Sequence, residues 1–289
     1  MIPFSELLIN KEGRIYHLNL KPGQVADDII LVGDPGRVKL VTGFFDDIET
    51  EESNREFHTV TGWYKNTRLT VMSTGIGLGN IDICMNELDA LVNVDFKKRV
   101  ANQIFKSLNF YRIGTTGSIQ PDIAVGSCIV SKSAIGLDGL LNFQEGRKEV
   151  CIPEFEMELK KQIPELSEII QPYVVASSEL LNNKFSSYGV IFGNTLTAPG
   201  FYGCQGRELR LKTKYPGLND SFTKFRFEEE RITNYEMESS ALFGFSKLLG
   251  HEATTICLVL ANRFHKEALQ DYHGKMKDLI KFVLDSIVS

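Results

Sequence analysis

From about residue 29 to the C-terminus, short β-branched apolar runs alternate with longer segments of helical periodicity, which restricts the chain to a layered α/β architecture. Runs at 29–32, 69–73, 110–113, 127–131, 173–176, 189–192 and 254–260 read as strands. Helical spacing marks 80–92, 154–170, 235–249 and 266–287; in the third, Met237, Ala241, Phe245 and Leu249 recur every four residues. Several strands run into polar, glycine-rich sequence: GDPGR, STGIGLGN, RIGTTGS and LANR. Open α/β sheets bind ligands beyond the carboxyl ends of their strands, so these segments are where a site is expected. The stretch 182–231 is the least regular and is expected to hold a functional loop or lid.

At 289 residues and 43% hydrophobic, the chain can bury one substantial core, and neither repeats nor Pro/Ser linkers divide it, so one domain over 1–289 is expected. A net charge of -5 argues against nucleic acid or an anionic membrane as partner, and an anion site must then be a local cluster of arginines and backbone N–H groups. Cys84, Cys128, Cys151, Cys204 and Cys257 are odd in number and widely spaced, without a metal or disulfide pattern. With no basic leader followed by an apolar run and no membrane-length apolar stretch, a cytoplasmic protein is expected.

Five segments carry chemistry. In GDPGR, Gly33 permits close backbone approach and Arg37 offers a forked cationic donor matched to phosphate; by itself the segment reads first as a turn in which Asp34 caps a helix and Arg37 is solvated. The segment from Arg112 through Ile113, Gly114, Thr115, Thr116 and Gly117 to Ser118 presents many donors and no fixed negative charge, as a phosphate cradle requires, or is a Gly/Thr-rich turn. GIGLGN at 75–80 lacks GxGxxG spacing, which excludes a dinucleotide fingerprint and leaves a backbone-lined pocket floor. In NYEMES, read as a helix start, Glu236 and Glu238 cannot share one helix face. One is expected to stabilise the helix end and the other to turn toward a ligand's hydroxyls, with Met237 packing on a sugar; ordinary first-turn acids are the plain reading. In FYGCQGR, Gln205 and Arg207 can read a uracil edge while Phe201 stacks on the ring, although such a segment is also an ordinary surface turn. His17 and Arg55 show no chemistry by themselves.

Taken in order, YHL at 16–18, GDPGR, NREF, STGIG, RIGTTGSIQP, FYGCQGR, NYEMES and LANR resemble the nucleoside phosphorylase-I family, closest to its uridine-cleaving members, and span most of the chain. The resemblance implies a single-domain three-layer α/β/α fold whose central mixed sheet is partly barrel-like and flanked by helices. It implies phosphate binding by Gly33, Arg37, Arg112, Ile113, Gly114 and Thr115, with Arg55 reaching in from a neighbouring subunit. His17 would cross the same boundary to the ribose, held otherwise by Thr115, Met237 and Glu238. Thr116, Gly117, Phe201, Gln205, Gly206, Arg207 and Glu236 would bind the base, with Arg263 bracing the loop. Arg207, Gln205, Arg112 and Glu238 are the implied catalytic set. Asn80 stands where some relatives carry a serine associated with structural potassium, so the resemblance supplies no firm metal site near Glu56, Ile76 and Asn80.

The activity implied is reversible phosphorolysis of uridine, with deoxyuridine and thymidine as further substrates to test, giving uracil and a (deoxy)ribose 1-phosphate. Inorganic phosphate is a co-substrate and no cofactor is implied. A purine enzyme of the family would carry an aspartate in the segment that here reads LVLANRF, where Ala261 and Asn262 stand instead. The alternatives are a purine nucleoside phosphorylase, a nucleosidase using water, or a catalytically silent nucleoside-binding member. Shared half-sites imply a homo-oligomer, at least a dimer, the family occurring both as dimers and as hexamers built from dimers.

Overall fold

The computed structural model describes residues 1–289, apart from the side chain of Tyr188. In chain order its strands are β1 (Asp28–Val32), β2 (Asp47–Asn54), β3 (Phe57–Tyr64), β4 (Thr67–Ser73), β5 (Val94–Asp95), β6 (Val100–Ala101), β7 (Asn109–Ser118), β8 (Cys128–Gly136), β9 (Tyr173–Ala176), β10 (Ile191–Thr197), β11 (Arg226–Phe227), β12 (Glu230–Glu236), β13 (Glu252–Asn262) and β14 (Glu267–Ala268). The α-helices are α1 (Pro35–Thr42), α2 (Leu78–Asn93), α3 (Arg147–Val150), α4 (Pro153–Gln162), α5 (Glu179–Asn183), α6 (Leu218–Lys224), α7 (Ser239–Leu249) and α8 (His273–Val288).

The apolar run of β1 is buried on both faces of the sheet. Ile29 and Leu31 face one apolar layer and Ile30 and Val32 the other, as the two-residue period of a strand requires. Helices α2 and α7 complete the first layer; α1, α5 and α8 complete the second. In α8 the residues Met276, Leu279, Ile280, Val283, Leu284 and Ile287 supply one continuous apolar stripe.

The main sheet has 12 strands in the order β11-β12-β10-β8-β13-β7-β1-β4-β3-β2, with β14 added to β13 and β9 to β8. β13, β7, β1 and β4 run parallel, and β2, β3 and β4 form an antiparallel meander. β12 pairs parallel with β10 and, through Asn234 with Ser118 and Tyr235 with Gly117, antiparallel with the end of β7. That last pairing closes β7, β13, β8, β10 and β12 on themselves, so the mixed sheet becomes a partial barrel between helical layers, as expected.

The expected strands all exist and most are longer. Three helix readings differ. The helix expected from 235 begins at Ser239, because Tyr235 and Glu236 are drawn into β12 by pairing with β10 and β7. The helix expected from 266 begins at His273, because 267–268 pair with β13 and the chain then crosses toward the carboxyl ends of the sheet. The segment 154–170 is interrupted after Gln162, where Pro164, which has no N–H to donate, starts a 3₁₀ turn. The β2–β3 hairpin was not foreseen: β2 reads DIETEESN and shows no apolar face, consistent with its place at the sheet edge.

Candidate active site

The carboxyl ends of β1, β4, β7 and β12 open into a cleft of about 970 Å³. One end of it starts with GDPGR. Gly33 follows β1 so closely beside the next strand that a Cβ there would lie 3.4 Å from the Gly75 carbonyl. Asp34 caps α1, its Oδ1 accepting from the Gly36 N–H at 2.8 Å. The capping reading therefore holds, but Arg37 is not solvated: it is buried in the cleft wall and donates through Nη1 to the Ile113 carbonyl at 3.2 Å. Burial, and then the like charge of Arg112, lower the pKa of Arg37. An anion between the two guanidinium groups would relieve both effects.

Arg112 comes from the middle of β7 and is buried. Its guanidinium folds back over Gly114, where an added Cβ would meet Nη1 at 2.3 Å and Cys257 Sγ at 2.8 Å, so only glycine fits at 114. Burial opposes its charge, but Glu238 and Glu236 together more than compensate, and Arg112 stays protonated. Burial pushes the Cys257 thiol up to about 12 against the pull of Arg112, so this neighbouring sulfur is neutral. Gly114, Thr115, Thr116 and Gly117 continue along the cleft wall. Thr116 Oγ1 donates to the Tyr235 carbonyl at 2.5 Å and accepts from Asn234 Nδ2 at 2.8 Å, which ties β7 to β12 at the barrel closure.

The two carboxylates have separate surroundings. Glu236, at the end of β12, accepts through Oε2 from the Glu238 and Ser239 N–H groups at 2.9 and 2.8 Å and from Ser239 Oγ at 2.9 Å. Its Oε1 accepts from Thr197 Oγ1 at 2.6 Å, and Arg112 Nη1 lies 3.3 Å from Oε2. Glu236 thus satisfies the first turn of α7 from a strand position, and both its oxygens are engaged by protein donors. Glu238 pairs directly with Arg112 Nη2 and accepts the Gly77 N–H at 2.7 Å. Met237 lies between them on the cleft wall.

At the far end, Phe201, Gln205 and Arg207 project from a tight loop after β10. Arg207 lies 3.8 Å over the Phe201 ring, donates to the Phe201 carbonyl at 2.8 Å and pairs with Gln205 Oε1. Gln205 Nε2 donates to the Gly200 carbonyl at 3.2 Å, which fixes the amide. Burial, reinforced by the like charge of Arg263, draws Arg207 down to about 10, still charged at neutral pH. Arg263 Nη2 donates to the Gln205 carbonyl at 3.1 Å. Gly206 sits behind this loop at φ 68 and does not line the cleft.

His17 and Arg55 lie elsewhere. His17 Nδ1 is 2.6 Å from Glu87 Oε1, and Arg55 reaches Tyr16 Oη at 3.4 Å. Neither lines the cleft of this chain. Glu56, Ile76 and Asn80 do share one of its walls. Asn80 turns its Nδ2 toward Gly75, 2.6 Å from where a Cβ would sit, with Glu56 Cγ 3.0 Å from the same point. Sequence reasoning missed a further wall, formed by Leu260, Ala268, Leu269, Gln270 and Tyr272. Reading 266–287 as one helix concealed it, since the helix begins only at His273.

This cleft, two buried arginines and a donor-rich strand at one end and a Phe/Gln/Arg loop at the other, defines a site for an anion beside a flat polar ring. The chain belongs to the phosphorylase superfamily, whose model matches residues 27–287. It is 31% identical over 263 residues to uridine phosphorylase of Thermococcus kodakarensis, covering 89% of this chain and 80% of the relative. Uridine phosphorylase of Haemophilus influenzae is 30% identical, with 88% of each chain covered. A DeoD-type purine nucleoside phosphorylase of Caldanaerobacter subterraneus is 27% identical, covering 93% of this chain and 98% of the relative. Among solved structures, a Trypanosoma brucei nucleoside phosphorylase described as showing uridine phosphorylase activity superposes with a TM-score of 0.86 at 29% identity, covering 98% of this chain and 99% of the other.

Proposed function

We propose that this pentosyltransferase is a uridine phosphorylase, transferring the ribosyl group of uridine to inorganic phosphate and releasing uracil. One observation carries the reading: the buried Arg37 and Arg112 share a single cleft with Phe201, Gln205 and Arg207. Phosphate sits on Gly33, Arg37, Arg112 and the 113–115 backbone, with the Thr115 hydroxyl beside it. Ribose lies over Met237, its hydroxyls on Glu238 and Thr115. The base stacks on Phe201 beside Thr116 and Gly117, and Gln205 and Arg207 read its edge.

The anomeric carbon then passes through an oxocarbenium-like state as the C–N bond breaks, and phosphate attacks from the opposite face. No protein nucleophile is required. Phosphate takes the carbon, and the electron pair of the broken bond leaves on uracil. Arg207 and Gln205 act by stabilising that developing negative charge, Arg37 and Arg112 by holding the phosphate in line. Discrimination against purines is supported by Asn262, which is buried and donates to the Gln120 and Ile123 carbonyls at 2.9 and 2.8 Å while accepting from the His265 N–H at 2.9 Å. No group at that position is free to read a purine N7.

Each cleft is completed by Arg55 and His17 of a neighbouring subunit, in a homo-oligomer of a single-domain chain working in the cytoplasm. No helix among the described residues is long and apolar enough to cross a membrane. The test is release of free base from uridine, thymidine, inosine and adenosine, with and without phosphate. Uracil released from uridine only when phosphate is present is expected; preferential release from inosine or adenosine would overturn the pyrimidine assignment.

A further inference from the structure

Behind the base-reading loop lies a hydrogen-bonded chain that the reaction itself does not use. Tyr235, buried in β12, donates its hydroxyl to Asn219 Oδ1 at 3.0 Å. Asn219, in α6, donates in turn through Nδ2 to the Gln205 main-chain carbonyl at 3.2 Å. The same carbonyl accepts from Arg263 at 3.1 Å, so two side chains from opposite sides of the loop hold one atom. The next residue, Gly206, turns at φ 68, and a Cβ there would lie 2.5 Å from Asn219 Nδ2. Asn219 is therefore packed against the turn that joins Gln205 to Arg207, whose side chains meet in the cleft. Its orientation is also fixed from behind: Tyr235 packs edge-on against Phe222 of α6, with ring centroids 6.0 Å apart.

We infer that Asn219 is a positioning residue for base recognition, coupling the Gln205–Arg207 loop to the strand that also carries Glu236. It touches no substrate and does not line the cleft. Its donor end sets where the Gln205 backbone lies, and with it the distance from the Gln205 amide and the Arg207 guanidinium to the base. A displacement of about 1 Å at such groups is enough to cost a large part of their effect on rate. The Gln205 carbonyl can only accept, which turns Nδ2 toward the loop and leaves Oδ1 to accept from the Tyr235 hydroxyl. The inference rests on the uridine reading of the cleft.

The test is steady-state kinetics of the full-length protein and its Asn219→Ala, Asn219→Asp and Tyr235→Phe variants, with uridine and phosphate varied separately. Loss of one hydrogen bond of this kind corresponds to about a tenfold effect. Asn219→Ala and Asn219→Asp are expected to lower kcat/KM for uridine about tenfold while KM for phosphate stays within about twofold of wild type. Asp keeps the acceptor for Tyr235 and loses the donor, so equal loss in both variants assigns the effect to Nδ2. Tyr235→Phe is expected to give a smaller loss with the same selectivity. Kinetics unchanged in both Asn219 variants, or a loss spread equally over uridine and phosphate and matched by a lowered Tm, would overturn the positioning role. Wild-type protein that released no uracil from uridine would instead overturn the reading on which the role rests.

Discussion

Arg37 and Arg112 are both buried at one end of the cleft, yet only Arg112 has carboxylate partners there, Glu236 and Glu238. Arg37 is thus the arginine whose charge an incoming phosphate would balance. Arg37→Ala should raise KM for phosphate by an order of magnitude or more and leave KM for uridine within about threefold, whereas Arg207→Ala should lower kcat/KM for uridine about a hundredfold by removing a donor that strengthens as the base leaves. Initial rates with each substrate varied separate the two. Glu238 gives a pH signature. Burial raises its pKa, Arg112 opposes this and Glu236 adds to it, leaving the carboxyl above the usual range. Its ionised form is lost earlier as pH falls, so the acid limb of the wild-type kcat/KM profile should lie above that of an ordinary carboxylate. For stability the sign is the reverse of an acid with a depressed pKa. The group favours the folded state below its unfolded value, and that contribution disappears as pH rises through the folded one. At this scale the sequence was informative wherever residue type dictates chemistry, as with Arg37, Arg112, Gln205 and Arg207. The partition between Glu236 and Glu238 was anticipated in kind, but the capping role of Glu236 could not be assigned while it was read as helical.

Strand ends, not helices, deliver most of the site, and their placement depends on a few close approaches. Gly136 ends β8 under the buried ring of Tyr173, and a Cβ there would fall 2.3 Å from Cζ and 2.4 Å from Cε1. The ring cannot move aside easily, because its hydroxyl is 3.0 Å from both Asp138 Oδ2 and Ser240 Oγ. Gly136→Ala should therefore destabilise the protein by about 2–3 kcal/mol, the range of an overpacked core, measured as a lower midpoint in urea with an unchanged slope. Fully buried strands such as β1 were readable because their apolar runs are uninterrupted. β12 was not: ERITNYE alternates weakly, and what makes it a strand is pairing with β10 and with the end of β7, partners distant in sequence. The same holds for β14, whose two residues are strand only because β13 is beside them.

For the whole molecule, closure of the sheet by β12 brings the Phe201–Arg207 loop, Glu236 and Glu238, and the 112–117 segment of β7 around one cavity. Tyr16, His17 and Arg55 cluster on a different surface of the same chain. Two-subunit sites would explain both facts. Arg55→Ala and Glu238→Gln, each nearly inactive alone, should regain activity when their subunits are dissociated and reassociated together, since a mixed pair holds one intact site; light scattering should show at least a dimer. That division is an expectation carried by the resemblance alone, since no local pattern in YHL or NREF contains it. The account stands most directly on the identity of the sugar product. Incubation with uridine and phosphate, followed by phosphorus NMR and separation of the free base, should show ribose 1-phosphate and uracil formed in equal amounts. Uracil accompanied by free ribose, with inorganic phosphate unconsumed, would contradict it.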